Sequence, residues 1–340
     1  MSPDSSTLGM QTLLDGLTEP SFIVDRGVIL MSNALARAAL GEWIDGRDVR
    51  LAIRHPAAIG RLLGDAGGGE DVELVGVGGA DRRWRMRVAR LADGSKFVRL
   101  FDHSVTHAAE RMRVDFVANA SHELRTPLST IVGYAETLCE ADAEIDVETR
   151  IRFTKIIYDE ARRMQRVVED LISLSRIESE RFSPPTDRLA LATVVELAVE
   201  SHRRTAQEHG VALKVDVGPD LPLIAGDHSQ LLQAFENILA NALRYGRSGS
   251  PVTVVLRREG QFTRVAVADQ GDGIPAELIP RLTERFFRVD AGRSRALGGT
   301  GLGLAIVKHI VERHRGRLEI ESEVGVGTTV SILLPAAPES

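Results

Sequence analysis

A histidine followed at once by a carboxylate, His122-Glu123, stands in the run Phe116-Val-Ala-Asn-Ala-Ser-His-Glu-Leu-Arg-Thr-Pro127-Leu. A neutral imidazole nitrogen is a competent nucleophile, and an ordinary pKa of ~6.5 leaves much of it neutral near pH 7. A carboxylate bonded to the other ring nitrogen would fix the tautomer and stabilise the cation formed on attack. Glu123 is adjacent for that task, and Thr126 lies one turn on, sharing the face of His122. On a helix, His122 projects roughly 200° from Ala120, so it is expected to face solvent. Pro127 offers no N–H to the carbonyl of Glu123, which predicts a bend or a loosened turn there. A zinc-protease motif is excluded, because no second histidine follows one turn later. An exposed lone histidine ordinarily does nothing; the carboxylate, the proline and the helical setting argue otherwise.

Four short motifs follow in order. In Gln233-Ala-Phe-Glu-Asn237-Ile-Leu-Ala-Asn241-Ala-Leu-Arg244-Tyr245, the residues Glu236, Asn237, Asn241 and Arg244 recur at helical spacing. Oxygens at that spacing suit Mg²⁺, and Arg244 suits a phosphate. Asp269-Gln-Gly271-Asp-Gly273-Ile274-Pro follows a strand pattern. A carboxylate there can accept the exocyclic amine of adenine while glycines let backbone approach the ring, although a plain β-turn reads the same. Glu284-Arg-Phe-Phe-Arg288-Val-Asp sets two aromatics beside cations, which core packing alone would explain. Gly298-Gly299-Thr300-Gly301-Leu302-Gly303-Leu leads into a helix, whose first N–H groups bind phosphate oxygens. The stretch 293–299 before it is basic and glycine-containing, as a mobile lid would be. It is neither a P-loop, lacking Gly-Lys-Ser/Thr, nor a dinucleotide fingerprint.

The elements that must carry these residues are legible as three regions. Residues 10–104 mix short β-branched runs (22–24, 28–30, 72–75, 97–100) with an alanine-rich helix at 33–40 and glycine patches at 67–69 and 76–79. Residues 105–180 read as a long helical hairpin. Its stripes are Met112, Phe116, Ala120, Leu124, Leu128, Ile131, Ala135 and Leu138, then Phe153, Ile157, Ala161, Met164, Val168, Leu171 and Leu174, with an acidic turn at 142–146. Two helices cover only each other's faces, so a two-chain, four-helix bundle is the natural way to bury both stripes. A bare helical linker would need no chemistry on its outer face. Phe182-Ser-Pro-Pro-Thr breaks the pattern as a linker. Beyond it, residues 187–336 alternate strands (211–217, 252–257, 264–268, 317–320, 328–333) with helices (193–209, 229–245, 302–313), an α/β sandwich. The fold class is α+β multidomain.

Composition narrows the class. Of 340 residues, 43% are apolar and 26% charged, as in a soluble globular chain, and the formal charge of −6 argues against a nucleic-acid partner. The single cysteine, Cys139, excludes a disulfide framework and fits a reducing cytoplasm. No apolar run approaches the ~20 residues of a spanning helix, and the start lacks signal-peptide order. The expectation is a cytoplasmic chain, either naturally soluble or a piece of a longer protein. Any membrane association would then come through a partner or a missing N-terminal segment.

These motifs resemble those of the sensor histidine kinases of two-component systems. The segment around His122 is similar to the H-box of that family, residues 237–245 to its N-box, and 269–273 to its first glycine box. Residues 284–288 resemble the F-box, 299–303 the second glycine box, and Gly325-Val-Gly327-Thr328-Thr the closing glycine-threonine element. The likeness spans 109–335 and implies a dimerisation and phosphotransfer hairpin at 105–180, then an ATP-binding domain of the GHKL type at 187–336. It implies ATP and Mg²⁺ as cofactors, with Asn237 and Asn241 on the metal, Arg244 and Tyr245 on phosphates, and Asp269 on adenine. Gly271, Gly273, Ile274, Arg288, Gly299, Thr300, Gly301, Leu302, Gly303 and Thr328 would complete the site. The usual N-box lysine is Arg244 here, which changes the geometry of that contact.

The resemblance further implies His122 as phospho-acceptor, Glu123 as base or orienting partner, and Thr126 as the residue supporting dephosphorylation of a partner. The partner would be the receiver domain of a response regulator, and the kinase a homodimer. The wording of 116–122, 133–138 and 281–290 is most similar to phosphate-regulon sensor kinases, which implies a PAS-like sensor domain at 10–104 and a phosphate-related signal. That region would bind a small molecule or dock an upstream membrane sensor or transporter. The alternatives are another ATPase of the same nucleotide fold, or a sensor scaffold with a degenerate site. The acceptor histidine argues against the first and the intact motifs against the second.

Overall fold

The computed structural model describes residues 5–64, 71–79, 82–140, 145–180, 183–290 and 299–338. The glycines at 67–69, most of the acidic turn at 142–146, Phe182, Gly298 and most of the expected lid lie outside these residues. The chain divides into two units, residues 1–115 and 116–340, each with its own apolar core.

The first unit starts with helix α1 (Ser5–Asp15) and strands β1 (Ser21–Asp25) and β2 (Val28–Ser32). Three short helices follow, α2 (Ala34–Leu40), α3 (Val49–Ala52) and α4 (Pro56–Leu63), then β3 (Val72–Val75), β4 (Arg83–Arg90) and β5 (Lys96–Asp102). The five strands form one antiparallel sheet in the order β2-β1-β5-β4-β3. Ile44, Ile53 and Leu62 join Phe22, Ile29, Leu74, Met86 and Leu100 in a single core. Asn33 caps α2, accepting from the N–H of Ala36 at 2.8 Å, and also ties β1 through the N–H of Ser21 at 3.0 Å. The buried Lys96 ammonium donates to Arg61 O and Leu62 O, placing a cation on the orphan carbonyls that end α4. Strand β4 was not anticipated, although its alternation buries Trp84 and Met86 and turns Arg87 outward.

Helix α5 (Ser104–Glu140) contributes to the second unit from Phe116 onward and pairs in sequence with α6 (Val147–Ser179). Asp146 caps α6 by accepting from the N–H of Thr149 at 2.8 Å. Helix α5 runs unbroken through the buried Pro127, so the loosened turn expected there does not end the helix. The expected stripes are only partly covered. Phe116, Leu124, Ile131, Phe153, Ile157, Met164 and Leu171 are half-buried and Leu174 is buried, whereas Leu128, Ala161 and Val168 are exposed. On α6 the fully buried positions are Arg163, Val167, Leu174 and Ile177, so the inward face is rotated from the one drawn through Ala161 and Val168.

The rest of the second unit holds β6 (Arg188–Leu189), α7 (Leu191–Glu208), β7 (Leu213–Val217), β8 (Ile224–Ala225) and α8 (His228–Tyr245). Then come β9 (Val252–Glu259), β10 (Phe262–Asp269), α9 (Gly303–Arg313), β11 (Arg317–Glu323) and β12 (Gly327–Pro335). The sheet order is β11-β12-β10-β9-β7, antiparallel except for the parallel pair of β7 and β9. Helices α7, α8 and α9 share one core with this sheet, as the expected α/β sandwich requires. Leu174 and Ile177 of α6 belong to that same core, so the hairpin's second helix ends inside the sandwich. Phe235, 1% exposed on α8, is the largest side chain in that core. Phe235→Ala should destabilise this unit by about 3–5 kcal/mol, read as a lower urea midpoint.

Candidate active site

The floor of the site is set by two turns that only glycine can make. Asp269 ends β10, and its Oδ1 accepts the N–H of Gly271 at 2.8 Å, closing the turn on the carboxylate. A Cβ on Gly271 would lie 2.3 Å from the carbonyl oxygen of Tyr245, so the turn sits directly on the end of α8. Gly273 has φ +70°, and a Cβ there would lie 2.0 Å from Glu323 O. The next N–H, of Ile274, donates to Ser322 Oγ at 2.9 Å, and that hydroxyl also bonds Thr328 Oγ1 at 2.8 Å. The first glycine turn is thereby fastened to the strand pair β11–β12, which brings Thr328 beside Asp269.

The opposite wall is the start of α9. Leu302 precedes it with no side-chain cap, leaving the first N–H groups of the helix available to an anion. Gly301 has φ +75° and packs against the backbone of Phe286, whose N–H donates to Gly301 O at 2.8 Å. The aromatic segment at 286–287 therefore holds the glycine loop in place. Gly303, the first residue of α9, lies against the Asn237 side chain of α8.

Between these walls is a cleft of about 370 Å³, within the usual range of small-ligand sites. Asn237, Asn241, Arg244 and Tyr245 line it from α8; Asp269, Gly271, Gly273, Ile274 and Thr328 line it from the strand ends. Arg288, Gly299, Thr300, Gly301 and Gly303 complete the wall at the α9 side. Leu302 does not line it, because its side chain is fully buried in the core beneath. The expected lid at 293–299 falls outside the described residues except for its last residue, Gly299. Among the lining residues that sequence reasoning missed are Arg166, Glu169 and Asp170, all on α6. They sit on the polar face of a hairpin helix, and nothing in their spacing signals a nucleotide.

The charges here are held off their ordinary behaviour. Burial raises the pKa of Asp269, against the opposing N–H bonds of Gly271 and Thr328. Burial likewise raises that of Asp170, opposed by a hydrogen bond from Thr300 Oγ1 to Asp170 Oδ2 at 2.7 Å. Burial lowers the pKa of Arg166, with Arg244, Arg162 and Arg163 adding repulsion. The residues present fit a magnesium nucleotide. Among the described residues the Nδ2 of Asn237 is buried with no partner, and two amide side chains one turn apart supply the neutral hard oxygens that suit Mg²⁺ shared with phosphates.

His122 stands exposed on α5, as expected, and among the described residues no hydrogen bond reaches its imidazole. Thr126 is exposed on the same face, and its hydroxyl donates back to His122 O at 3.2 Å. Glu123 differs from expectation. Its Oε2 accepts from Arg163 Nη2 of α6 at 3.1 Å and from Arg288 Nη2 at 2.8 Å, rather than from the neighbouring ring. The physical reason is proximity to two largely buried guanidiniums, whose charge is satisfied only by a carboxylate. His122 does not line the cleft, but Arg288 does, so the two places are joined by one ion pair.

Comparisons with known proteins agree with this geometry. Residues 112–180 match the His Kinase A (phospho-acceptor) domain, and 226–338 match the histidine kinase-, DNA gyrase B- and HSP90-like ATPase domain. The sensor-like histidine kinase SenX3 of Mycobacterium tuberculosis is 38% identical over 291 residues, covering 82% of this chain and 70% of that one. The phosphate regulon sensor protein PhoR of Pseudomonas aeruginosa is 35% identical over 306 residues, 88% of this chain and 63% of that one. In the solved structures, the fold resembles the histidine kinase ThkA crystallised with the response regulator protein TrrA, with a TM-score of 0.53 and 19% identity over 95% of this chain and 97% of that one. It also resembles the Acinetobacter baumannii histidine kinase AdeS, with a TM-score of 0.52 and 21% identity over 64% of this chain and 98% of that one. The chain belongs to the sensor histidine kinases of two-component systems. It is a protein-histidine kinase with an ATP-binding C-terminal domain.

The carboxylate of Asp269 gives this site a pH signature. In the role expected of it, the ionised carboxylate would accept the amine of adenine, and protonation would weaken that contact. Because burial raises its pKa, adenosine affinity should fall on acidification before the pH reaches the ordinary Asp range near ~3.9. Asp269→Ala should weaken adenosine binding by about 1–3 kcal/mol and remove that pH dependence, measured by calorimetric titration.

Proposed function

We propose that this kinase transfers the γ-phosphoryl group of ATP to His122 and then to an aspartate on the receiver domain of a response regulator. The observation that carries the reading is the conjunction of a solvent-facing His122 on the hairpin with a glycine-walled cleft holding Asp269, Asn237 and Asn241. In this proposal the adenine amine meets Asp269, while Gly299, Gly301 and the open start of α9 receive the phosphate oxygens. Asn237 and Asn241 hold Mg²⁺, which supplies charge neutralisation on the triphosphate. Arg244, Tyr245 and Arg288 supply the remaining phosphate contacts. An imidazole nitrogen of His122 forms the new N–P bond as the bond to the ADP oxygen breaks, and the ring proton leaves to a base. Glu123 is inferred to be that base or the orienting anion, once released from Arg288. Thr126, one turn from His122, is inferred to orient water for the reverse dephosphorylation of the partner.

The hairpin is proposed to dimerise. Leu128 and Val132 on α5 and Val168 and Ile172 on α6 leave an apolar surface exposed, which a second hairpin would cover as a four-helix bundle. The first unit is proposed to be a PAS-like sensor domain, supported by its sheet order β2-β1-β5-β4-β3 with the helices inserted between β2 and β3. A phosphate-related signal is inferred from the likeness to PhoR alone. No described helix is long and apolar enough to cross a membrane, and attachment through an upstream membrane partner remains part of the proposal.

Incubation with γ-labelled ATP tests the central claim. Wild-type protein should take up acid-labile, base-stable label and pass it to a receiver domain. His122→Gln should take up none, with its nucleotide affinity unchanged. Label at the wild-type level on His122→Gln would refute the assignment of the acceptor.

A further inference from the structure

Helices α5 and α6 make a set of side-chain contacts with the nucleotide domain. Thr300 donates to Asp170 at 2.7 Å, Arg288 donates to Glu123 at 2.8 Å, and Ser173 Oγ donates to Gln233 Oε1 at 2.8 Å. Arg285 pairs with Glu178, and the rings of Phe116 and Phe286 lie 5.9 Å apart. Two of these contacts differ in kind from the others. Thr300 and Arg288 both line the nucleotide cleft, and each is engaged by a carboxylate that comes from the hairpin. Asp170 itself lines the cleft, with its charge beside the glycine loop and the start of α9.

A carboxylate and a phosphate present the same chemistry to such donors, namely an anionic oxygen with free lone pairs. They also repel one another at close range in a partly buried site. We infer that Asp170 and Glu123 stand in for nucleotide phosphate on Thr300 and Arg288, so that ATP binding and docking of the nucleotide domain on its own hairpin compete. The inference rests on the proposed nucleotide site and deepens it by naming what regulates access. Docked chains are a reservoir from which ATP must draw, and the apparent affinity is reduced by the fraction docked. By reciprocity, ATP loosens the domain from the hairpin, and anything that strengthens docking expels ATP. Adenosine lacks the competing charge and is indifferent to the latch. Glu169 lines the same cleft, but its carboxylate accepts from Gln165 on its own helix, so it carries charge without taking part.

Calorimetric titration of the full chain with ATP–Mg²⁺ and with adenosine tests this. Asp170→Ala removes the carboxylate and its bond to Thr300; Asp170→Asn removes only the charge and serves if the alanine variant does not fold. Both should bind ATP three- to thirty-fold more tightly than wild type, with adenosine affinity within two-fold. Glu169→Gln should leave ATP affinity within two-fold. Unchanged or weaker ATP binding by the Asp170 variants overturns the latch, as does an equal gain from Glu169→Gln, which would assign the effect to net charge. Asn241→Ala separates this from the site itself. If wild type binds ATP and Asn241→Ala does not, the nucleotide site stands whatever Asp170 does. If Asn241→Ala binds like wild type, the proposed site fails and the latch fails with it.

Discussion

The site depends on one helix that serves two environments. Helix α8 buries Leu231, Ala234, Phe235, Ile238, Leu239, Ala242 and Leu243 in the sandwich core. Its other face presents Asn237, Asn241 and Arg244 to the cleft. Asparagine is a poor helix former, so two of them one turn apart lower the local propensity. The apolar face repays that: each large side chain buried contributes about 1.5–3 kcal/mol, far above the propensity lost. The polar residues are therefore fixed in space by packing behind them rather than by bonds among themselves. That explains how Asn237 can carry an unpartnered, buried Nδ2 without the helix giving way.

From this fixed helix the remaining parts follow by close approach. The carbonyl of Tyr245 at the end of α8 sits where a side chain on Gly271 would be, and Asn237 sits against Gly303. Each glycine lets a wall of the cleft close on α8, and the wall at the start of α9 brings uncapped N–H groups. The acidic Asp269 costs energy here, since a buried carboxylate loses hydration. Two N–H bonds offset part of that loss and hold the carboxylate in one orientation. Preorganisation of this kind gives a recognition group its specificity before any ligand arrives.

Much of this was legible because the sequence signals were local. The helices at 191–208, 228–245 and 303–313 declare themselves by period, and the glycine turns by residues that tolerate little else. Fourteen of the fifteen nucleotide-site positions line one cleft, and the exception, Leu302, points inward from the same loop. What escaped notice was of two sorts. Strand β4 carries Trp84 and Met86 at alternate positions, but its arginines masked a period of two that a count would have found. Asp170 and the Glu123–Arg288 pair could not have been found that way. The latter is separated by 165 residues and arises only when two elements with separate sequence patterns meet.

Helix α6 joins those elements with two kinds of attachment of unequal strength. Leu174 and Ile177 lie in the nucleotide domain's own core, and withdrawing them would expose apolar surface at about 25 cal/mol per Å². Asp170, Ser173 and Glu178 instead make polar contacts whose groups exchange readily with water, each worth about 0–1.5 kcal/mol net. The end of α6 must therefore stay with the sandwich while the polar contacts open. A rigid helix anchored at Leu174 and Ile177 holds the backbone of Asp170, one turn away, nearly in place, so its contact with Thr300 opens by side-chain rotation. Larger movement is left to α5, whose contacts with the nucleotide domain include Phe116 on Phe286 and Arg285 and Glu123 on Arg288. Displacement of α5 would break the second of these and leave Glu123 paired with Arg163 alone. The step that would release Arg288 for its proposed phosphate contact would therefore also release Glu123 for the role proposed for it beside His122.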